Sequence, residues 1–258
     1  MPRISKHAII EPSAELADDV RIGPFSYVGP DVRIGSGCRI DNNVTIVGRT
    51  TLGDRTRVFP LAVIGAAAPH EETPGECVLG EANAIREHVT IYSGIDSPTQ
   101  IGNHNLIMIA SQIGSGAIVG DHGIFDNYVQ IGPHAYVEDY VRMSGFATVG
   151  PGAKVGAYSF VAGYARVDDD APPYAMIQGF PVRVRGINTR NLQACGFGKD
   201  DIHALKLAFR ELFNGRGQEV NRGALERLGD GKGVNAHVRR LVEAVRAALD
   251  TAGGSGDA

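Results

Sequence analysis

Histidine is the residue of this chain whose placement most suggests chemistry, because an unperturbed imidazole titrates at about pH 6.5 and can act as a general base. Five of the eight histidines fall at the same place of a six-residue repeat: His7, His88, His104, His122 and His134. His104 and His122 are eighteen residues apart, and Tyr140 and Tyr158 continue that series. The series is either a polar and aromatic ladder on a solvated edge or trimer contact, or the lining of a groove that supplies a base.

Apolar residues of the same repeat define the elements that must position these histidines. From Ile101 onwards a large apolar residue returns at every sixth position, at residues 107, 113, 119, 125, 131, 137, 143, 149, 155, 161 and 167. An α-helix has a period of about 3.6 residues and a strand a period of about 2, so neither explains this spacing. Hexapeptide repeats are typical of a parallel β-helix, in which short strands and tight turns stack coil on coil. The sequence therefore predicts an all-β solenoid.

Three hexads per coil is the arrangement of the left-handed, triangular β-helix proteins, which the chain resembles. On that basis residues eighteen apart lie directly above one another, and adjacent strands are about 4.8 Å apart. Each hexad sends one branched side chain inward and then turns a corner, so the place shared by the five histidines faces outward. Stability comes from stacking the coils, since no single coil can bury its apolar face.

The six-residue phase begins at Ile4 and is interrupted twice. The first break, residues 65–75, is rich in Pro, Gly and charged residues, and the second is residues 96–99. Pro and Gly indicate loops, and insertions into a solenoid emerge from one face and often carry binding residues. If the second insertion replaces part of one hexad, His88 joins the column of His122.

The chain is expected to divide into a left-handed β-helix over residues 1–185, a helical C-terminal domain over 186–250 and a disordered tail over 251–258. Apolar residues at helical spacing after residue 200 predict two amphipathic helices. The first contains Ile202, Leu205, Leu207, Ala208, Leu212 and Phe213. The second contains Val238, Leu241, Val242, Val245 and Leu249.

Composition excludes several classes of protein. The net charge is −4 and the isoelectric point is about 6.1, which argues against a nucleic-acid-binding or polybasic membrane protein. The three cysteines, at 38, 77 and 195, have no paired spacing for zinc or a redox motif. The sequence shows neither a charged-then-apolar leader nor an apolar run of about 18 residues. We therefore expect a soluble cytoplasmic protein.

Local motifs add a family resemblance to this fold. They are Ile85-Arg86-Glu87-His88-Val89-Thr90-Ile91, Asn105-Leu106-Ile107-Met108-Ile109, Pro172-Pro173-Tyr174 with Gln178-Gly179, and Gly186-Ile187-Asn188. With these motifs the chain resembles the UDP-N-acetylglucosamine O-acyltransferase family of lipid A synthesis over nearly its whole length. The hexads alone would indicate only a broad superfamily.

The resemblance implies a soluble homotrimer with active sites in grooves between neighbouring solenoids. It implies transfer of a fatty acyl group from the thioester of acyl carrier protein to the 3-hydroxyl of the sugar of UDP-N-acetylglucosamine, with a histidine as general base. Neither a metal nor another cofactor is implied. A column of Tyr128, Phe146 and Tyr164 at eighteen-residue steps also favours a trimer, because such a column is best buried against a neighbour.

The chain departs from the family pattern at the catalytic residues. The family's His-x-x-His-Asp, whose second histidine is the base, falls here at Gln112, Ser115 and Gly116. A further family histidine falls at Gly150. The usual base is therefore absent, and His134, one coil beyond it, is the leading candidate for a displaced base.

Most of the remaining site predictions come from the resemblance, and His122 comes from its place in the histidine and tyrosine column. The family's paired arginines fall at Ala194 and Cys195, so Arg183, Arg185 and Arg190 are left as candidates to bind the diphosphate, with Arg190 the nearest in sequence. The family uses an Asn at 188 near the nucleotide, and Gly at 163 leaves room for a long acyl chain. The predicted catalytic residues are His134 and Ser115, and the predicted substrate-binding residues are Asn188, Arg190, Gln178, Gly163 and His122.

Three hypotheses follow from these residues. The first is an O-acyltransferase acting on a nucleotide-linked amino sugar with a displaced base, and full-length collinearity favours it. The second is a sugar acetyltransferase that uses acetyl-coenzyme A, and the third is an inactive trimeric relative that binds a ligand or partner. A zinc site like that of the carbonic-anhydrase relatives of this fold needs two histidines close together in one coil, and no such pair occurs here.

Overall fold

The computed structural model describes residues 1–213, 219–230 and 234–254. They form a parallel β-solenoid followed by a helical C-terminal region, which confirms the predicted fold class. The first fourteen strands are β1 Arg3–Ile4, β2 Ile9–Ile10, β3 Glu15–Leu16, β4 Arg21–Ile22, β5 Tyr27–Val28, β6 Arg33–Ile34, β7 Arg39–Ile40, β8 Thr45–Ile46, β9 Arg49–Leu52, β10 Arg57–Val58, β11 Val63–Ala66, β12 Glu76–Leu79, β13 Ala84–Ile85 and β14 Thr90–Tyr92. The next twelve are β15 Thr99–Ile101, β16 Leu106–Ile107, β17 Gln112–Ile113, β18 Ile118–Val119, β19 Ile124–Phe125, β20 Gln130–Ile131, β21 Tyr136–Val137, β22 Arg142–Met143, β23 Thr148–Val149, β24 Lys154–Val155, β25 Phe160–Val161 and β26 Arg166–Val167.

Successive strands belong to three different faces of the solenoid, which we call sheets 1, 2 and 3. Every third strand stacks on the one before, so β1, β4 and β7 begin sheet 1, β2, β5 and β8 begin sheet 2, and β3, β6 and β9 begin sheet 3. Arg3 pairs in register with Arg21, and Gln112 pairs with Gln130. The spacing of eighteen residues per coil is thereby confirmed.

The two interruptions of the repeat are insertions within a coil, and both lie between a strand of sheet 2 and the next strand of sheet 3. Arg57 pairs with Ala84, which lies 27 residues on and so leaves nine residues beyond one coil. Ala84 pairs with Leu106, 22 residues on, which leaves four. The second insertion is added to a full coil. The backbone N–H of Ala110 therefore donates to the carbonyl oxygen of Glu87 at 2.9 Å, which places Ala110 above His88 at the same corner. His88 therefore does not join the column of His122, contrary to the interpretation in which the insertion replaces part of a hexad.

The core of the solenoid contains one branched or large apolar side chain from almost every strand. Ile107, Ile113, Phe125 and Val137 have no exposed surface. Burying such a side chain contributes about 1.5–3 kcal/mol, and the effect is repeated in every coil. Small side chains fill the corners from inside, as with Cys38, whose burial raises the pKa of its thiol to about 11.

Outward-facing corner residues form the columns that the sequence predicts. We call the three edges the Tyr128 corner, between sheets 1 and 2, the His134 corner, between sheets 2 and 3, and the His122 corner, between sheets 3 and 1. At the His122 corner the rings of His104, His122, Tyr140 and Tyr158 stack at 4.6–5.0 Å between centroids. At the Tyr128 corner the rings of Tyr128, Phe146 and Tyr164 stack at 4.9 and 5.0 Å. Both predicted columns are confirmed.

The C-terminal region begins with two strands on top of sheet 1. Strand β27 is Ala175–Gln178 and strand β28 is Arg183–Ile187, and the two pair antiparallel. The helices are α1 Thr189–Ala194, α2 Lys199–Leu212, α3 Arg222–Asp230 and α4 Ala236–Gly254. The boundary predicted between 185 and 186 thus lies inside β28. No helix in the described residues is long and apolar enough to span a bilayer.

Helix α4 extends past the residue at which the predicted tail begins. The helix continues to Gly254, four residues into the segment that was expected to be disordered from residue 251. The preceding run Ala247-Ala248-Leu249 is made of the strongest helix formers, which favours extension of the helix. The rest of that segment, 255–258, lies outside the described residues.

The Glu138 carboxylate connects helix α4 to the solenoid. Glu138 accepts from Lys154 at 2.8 Å, from Arg240 of α4 at 2.9 Å and from the backbone N–H of Ala157 at 2.8 Å. Burial raises the pKa of Glu138, but the hydrogen bonds from Lys154 and Ala157 outweigh it and leave that pKa below its ordinary value. The helical region is therefore held against the upper coils.

Candidate active site

The His134 corner brings the two predicted catalytic residues onto successive coils. The backbone N–H of His134 donates to the carbonyl oxygen of Ser115 at 2.9 Å. His134 has φ +56, the left-handed conformation that closes the corner and turns its side chain outward. Its side chain is exposed, whereas Ser115 is only 7% exposed. Sequence reasoning placed these residues together correctly, since they are one coil and one residue apart.

A glycine makes room for the His134 imidazole. A Cβ atom at Gly116 would lie 2.5 Å from Nδ1 and 2.7 Å from Cε1 of His134, far inside van der Waals contact. Gly116 also has φ +68, which favours glycine. The His134 ring thus lies over Gly116, the position at which the family pattern has an Asp.

Ser115 contacts a residue from the first insertion. Its Oγ donates to Oε1 of Glu71 at 3.1 Å, and the other carboxylate oxygen of Glu71 accepts from the backbone N–H of Ala68 at 3.0 Å. Sequence analysis identified this loop as a candidate for function but did not single out Glu71. Which side chain of the loop turns inward depends on tertiary contacts.

A groove of about 300 Å³ runs along sheet 2 beside this corner. Gln112, Ser115 and Gly150 line it, so all three positions at which the family histidines are missing lie in one cleft. Ala68 and Pro69 of the insertion form its edge. The small residues Ser115 and Gly150 leave the groove open.

A polar ladder on the outer face of sheet 2 forms the wall of the groove. Its members, at eighteen-residue steps, are Gln112, Gln130, Thr148 and Arg166. Each precedes a buried strand residue and points outward by the alternation of a strand. The eighteen-residue spacing of these polar residues is present in the sequence, but the resemblance to the family distinguishes only Gln112, as a departure from the family pattern.

The predicted nucleotide-binding residues lie at the His122 corner. Asn188 is buried at the start of α1, where its Nδ2 donates to the Tyr158 carbonyl at 2.8 Å and its Oδ1 accepts from the Asn191 N–H at 3.4 Å. Its amide therefore already holds α1 against the column that contains His122. Arg190, on α1, is exposed.

The predicted acyl-chain position lies at the remaining corner. Gly163 is exposed beside Tyr164, and a Cβ there would approach the carbonyl oxygen of Gly145 to 3.2 Å. Gln178 ends β27, which stacks on β25 just above, and is also exposed. One chain thus brings Ser115 and His134 together but distributes the other predicted site residues over two further corners.

Within residues 1–213, 219–230 and 234–254, no three His, Cys, Asp or Glu side chains are grouped as ligands of one ion. His104 and His122 stack as nearly parallel rings along their column and do not converge on one point.

Comparisons with known proteins decide the family. A family model described as bacterial transferase hexapeptide (six repeats) matches residues 13–48, and one described as UDP N-acetylglucosamine O-acyltransferase, domain 2, matches residues 170–252. The acyl-[acyl-carrier-protein]–UDP-N-acetylglucosamine O-acyltransferase of Azorhizobium caulinodans is 46% identical over 252 residues, which cover 93% of this chain and 92% of that protein. The chain belongs to the UDP-N-acetylglucosamine O-acyltransferase family.

Other members of the UDP-N-acetylglucosamine O-acyltransferase family match this chain over nearly its whole length. The protein of the same name from Akkermansia muciniphila is 42% identical and covers 95% of this chain and 96% of its own. The crystal structure of the UDP-N-acetylglucosamine O-acyltransferase of Moraxella catarrhalis matches with a TM-score of 0.87 at 29% identity, covering 95% and 96% of the two chains. The predicted family is confirmed, and both the solenoid and the helical region belong to it.

Proposed function

We propose that this protein transfers a fatty acyl group from acyl carrier protein to a hydroxyl of a UDP-linked N-acetylglucosamine-type sugar. The observation that carries the proposal is the His134 corner, where an exposed imidazole lies one coil from Ser115, beside an open groove. Family membership supplies the reaction, since the named relatives are O-acyltransferases with these two substrates. This reaction is the first step of lipid A biosynthesis.

His134 supplies the proton chemistry in this proposal. Its neutral imidazole removes the proton of the sugar hydroxyl as that oxygen attacks the thioester carbon. The carbon–sulfur bond then breaks, and the leaving thiolate takes the proton from the imidazolium, which restores the base. General-base assistance of this kind contributes roughly 10²–10⁴-fold.

A homotrimer would complete the site. Within one chain the His134 corner is separated from Asn188, Arg190 and His122, and also from Gly163 and Gln178. A neighbouring solenoid packed against this corner would bring a second corner to it, as closed symmetry requires. The exposed ladder of Tyr128, Phe146 and Tyr164 is an apolar strip that such packing would bury.

A second candidate function is that of an inactive trimeric relative that binds a UDP-sugar. The residues Gln112, Ser115 and Gly150 favour it, because they leave the groove without three of the family's imidazoles. The predicted alternative donor, acetyl-coenzyme A, has no observation of its own in its favour. Cytoplasmic location and the absence of nucleic acid among the partners stay predictions.

Ligand binding and turnover separate these functions. Thermal shift and calorimetry with UDP-N-acetylglucosamine, acylated carrier protein and acetyl-coenzyme A give the ligand class. We expect binding of the first two and acyl transfer when both are present. Binding of the UDP-sugar with no transfer from either donor would favour the inactive relative.

A further inference from the structure

The nine-residue insertion directs one carboxylate inward. Glu71 is half-buried, whereas its neighbours His70 and Glu72 are exposed. A tight turn holds it, because the Glu71 N–H donates to the Ala68 carbonyl at 2.8 Å and the Ala68 N–H donates to Oε2 of Glu71 at 3.0 Å. One oxygen of the carboxylate is thus used within the loop, and the other is aimed at Ser115.

The partner of that second oxygen can only be a donor. An ionised carboxylate carries no proton, so the Ser115 hydroxyl must donate to Oε1 across the 3.1 Å contact. The single hydroxyl proton of Ser115 is then committed to the loop. The lone pairs of its Oγ are the groups left to interact with a ligand in the groove that Ser115 lines.

We propose that Glu71 is a positioning residue that holds Ser115 as a hydrogen-bond acceptor for an uncharged donor on the sugar. The donor is a hydroxyl or an amide N–H, both of which an N-acetylamino sugar carries. The inference rests on the proposed function for the identity of the sugar, and it adds a specificity residue at the position where the family's base is absent.

The Glu71 carboxylate also disfavours binding of the diphosphate end of the ligand beside Ser115. A phosphate oxygen has no proton to donate to Ser115 and would be repelled by the charge of Glu71 a few ångströms away. The pair therefore favours the sugar in this part of the groove and leaves the diphosphate for cationic residues elsewhere.

Affinity measurements on matched variants test whether Glu71 and Ser115 act together in binding the sugar. Glu71→Gln keeps the size of the side chain, but its amide can donate to Ser115 and so releases the hydroxyl proton. Ser115→Ala removes the acceptor, and Glu72→Gln, on the exposed neighbour, is the control for loss of one negative charge. Calorimetry with UDP-N-acetylglucosamine is run on the full-length wild type, the three single variants and the Glu71→Gln/Ser115→Ala double variant.

We expect Kd to rise about tenfold in Glu71→Gln and in Ser115→Ala, the equivalent of one hydrogen bond, and to rise no further in the double variant. Glu72→Gln should bind as the wild type does. In steady-state assays Glu71→Gln should raise KM for the sugar and leave kcat within about twofold of the wild type. A role in folding alone would instead lower the unfolding temperature and leave Kd unchanged.

Several outcomes would overturn the proposal that Glu71 positions Ser115. The proposed role of Glu71 is contradicted if Glu71→Gln binds UDP-N-acetylglucosamine as Glu72→Gln does, or if the losses of affinity add in the double variant. A fall in kcat at constant KM would also contradict it, because it would indicate direct proton transfer by Glu71. A wild type that binds no UDP-N-acetylglucosamine would also overturn it. A wild type that binds the sugar without acyl transfer would refute the proposed function, and the Kd series would still decide the pair.

Discussion

The His134 imidazole lies over the bare Cα of Gly116, in space that any side chain at residue 116 would occupy. A Cβ there would be 2.5 Å from Nδ1 of His134. The position of the His134 imidazole therefore depends on the absence of a side chain at residue 116. The departure of this chain from the family pattern both removes the usual base and makes room for another.

Gly116→Ala should displace the imidazole and lower kcat by about tenfold or more, because geometry governs general-base catalysis before pKa does. Gly152→Ala is the matched control, since Gly152 lies one coil above His134 at the same corner, has φ +70, and would have no atom within 4 Å of its new Cβ. Both variants carry the same backbone strain, of about 1–2 kcal/mol. Equal activity of the two would show that the position of His134 is unimportant.

Ser115→His should raise kcat by about tenfold, since it restores an imidazole nearer the groove and beside the Glu71 carboxylate, a charge that favours the imidazolium formed in the reaction. Ser115→Ala is the control for loss of the hydroxyl and should have a smaller effect on kcat than His134→Ala. Initial rates with acylated carrier protein measure both. If Ser115→His is slower than Ser115→Ala, the position is not within reach of the reacting hydroxyl.

The sequence predicted the parts of the site that depend only on the repeat. Spacing alone places His134 one coil above the Ser115 corner and stacks His122 between His104 and Tyr140, because every coil has the same length and every corner the same conformation. The apolar residue of each hexad determines which side chain points inward. The direction of the other side chains of that hexad follows from this register.

The parts it could not predict depend on where the repeat is broken. The inward direction of Glu71 results from a turn and a tertiary contact that no periodicity encodes. The column of His88 could be predicted only conditionally, because the length of the second insertion relative to a coil could not be derived from its residues. Asn188 was identified from the family motif, but its hydrogen bonds to Tyr158 and Asn191 emerge only from the packing of α1.

Arg190→Ala should weaken binding of the UDP-sugar by about tenfold, because loss of a charged hydrogen-bond donor to a diphosphate is worth this much. Arg21→Ala, on an exposed arginine of β4 at the opposite end of the solenoid, is the control for charge and should bind normally. Calorimetry measures both. Unchanged affinity in Arg190→Ala would exclude Arg190 and leave Arg183 and Arg185 as the predicted partners of the diphosphate.

Light scattering at micromolar concentration should give the mass of a trimer. Introduction of charge into the Tyr128 corner, with Phe146→Glu, should shift the mass towards the monomer, because Phe146 is 48% exposed in the single chain and a buried carboxylate without a partner is costly. Leu207→Glu, on an exposed position of α2, is the control and should remain trimeric. A monomeric wild type would refute both the trimer and a site between subunits.

His134→Ala tests the central claim most directly, in an assay that follows the acyl ester formed from acylated carrier protein and UDP-N-acetylglucosamine. We predict that the wild type turns over and that His134→Ala lowers kcat by about 10²-fold or more, within the range of a general base. His88→Ala, at an exposed left-handed position of the Tyr128 corner, is the matched control and should retain wild-type activity. An active His134→Ala variant, or a wild type that binds both substrates without forming the ester, would contradict the account.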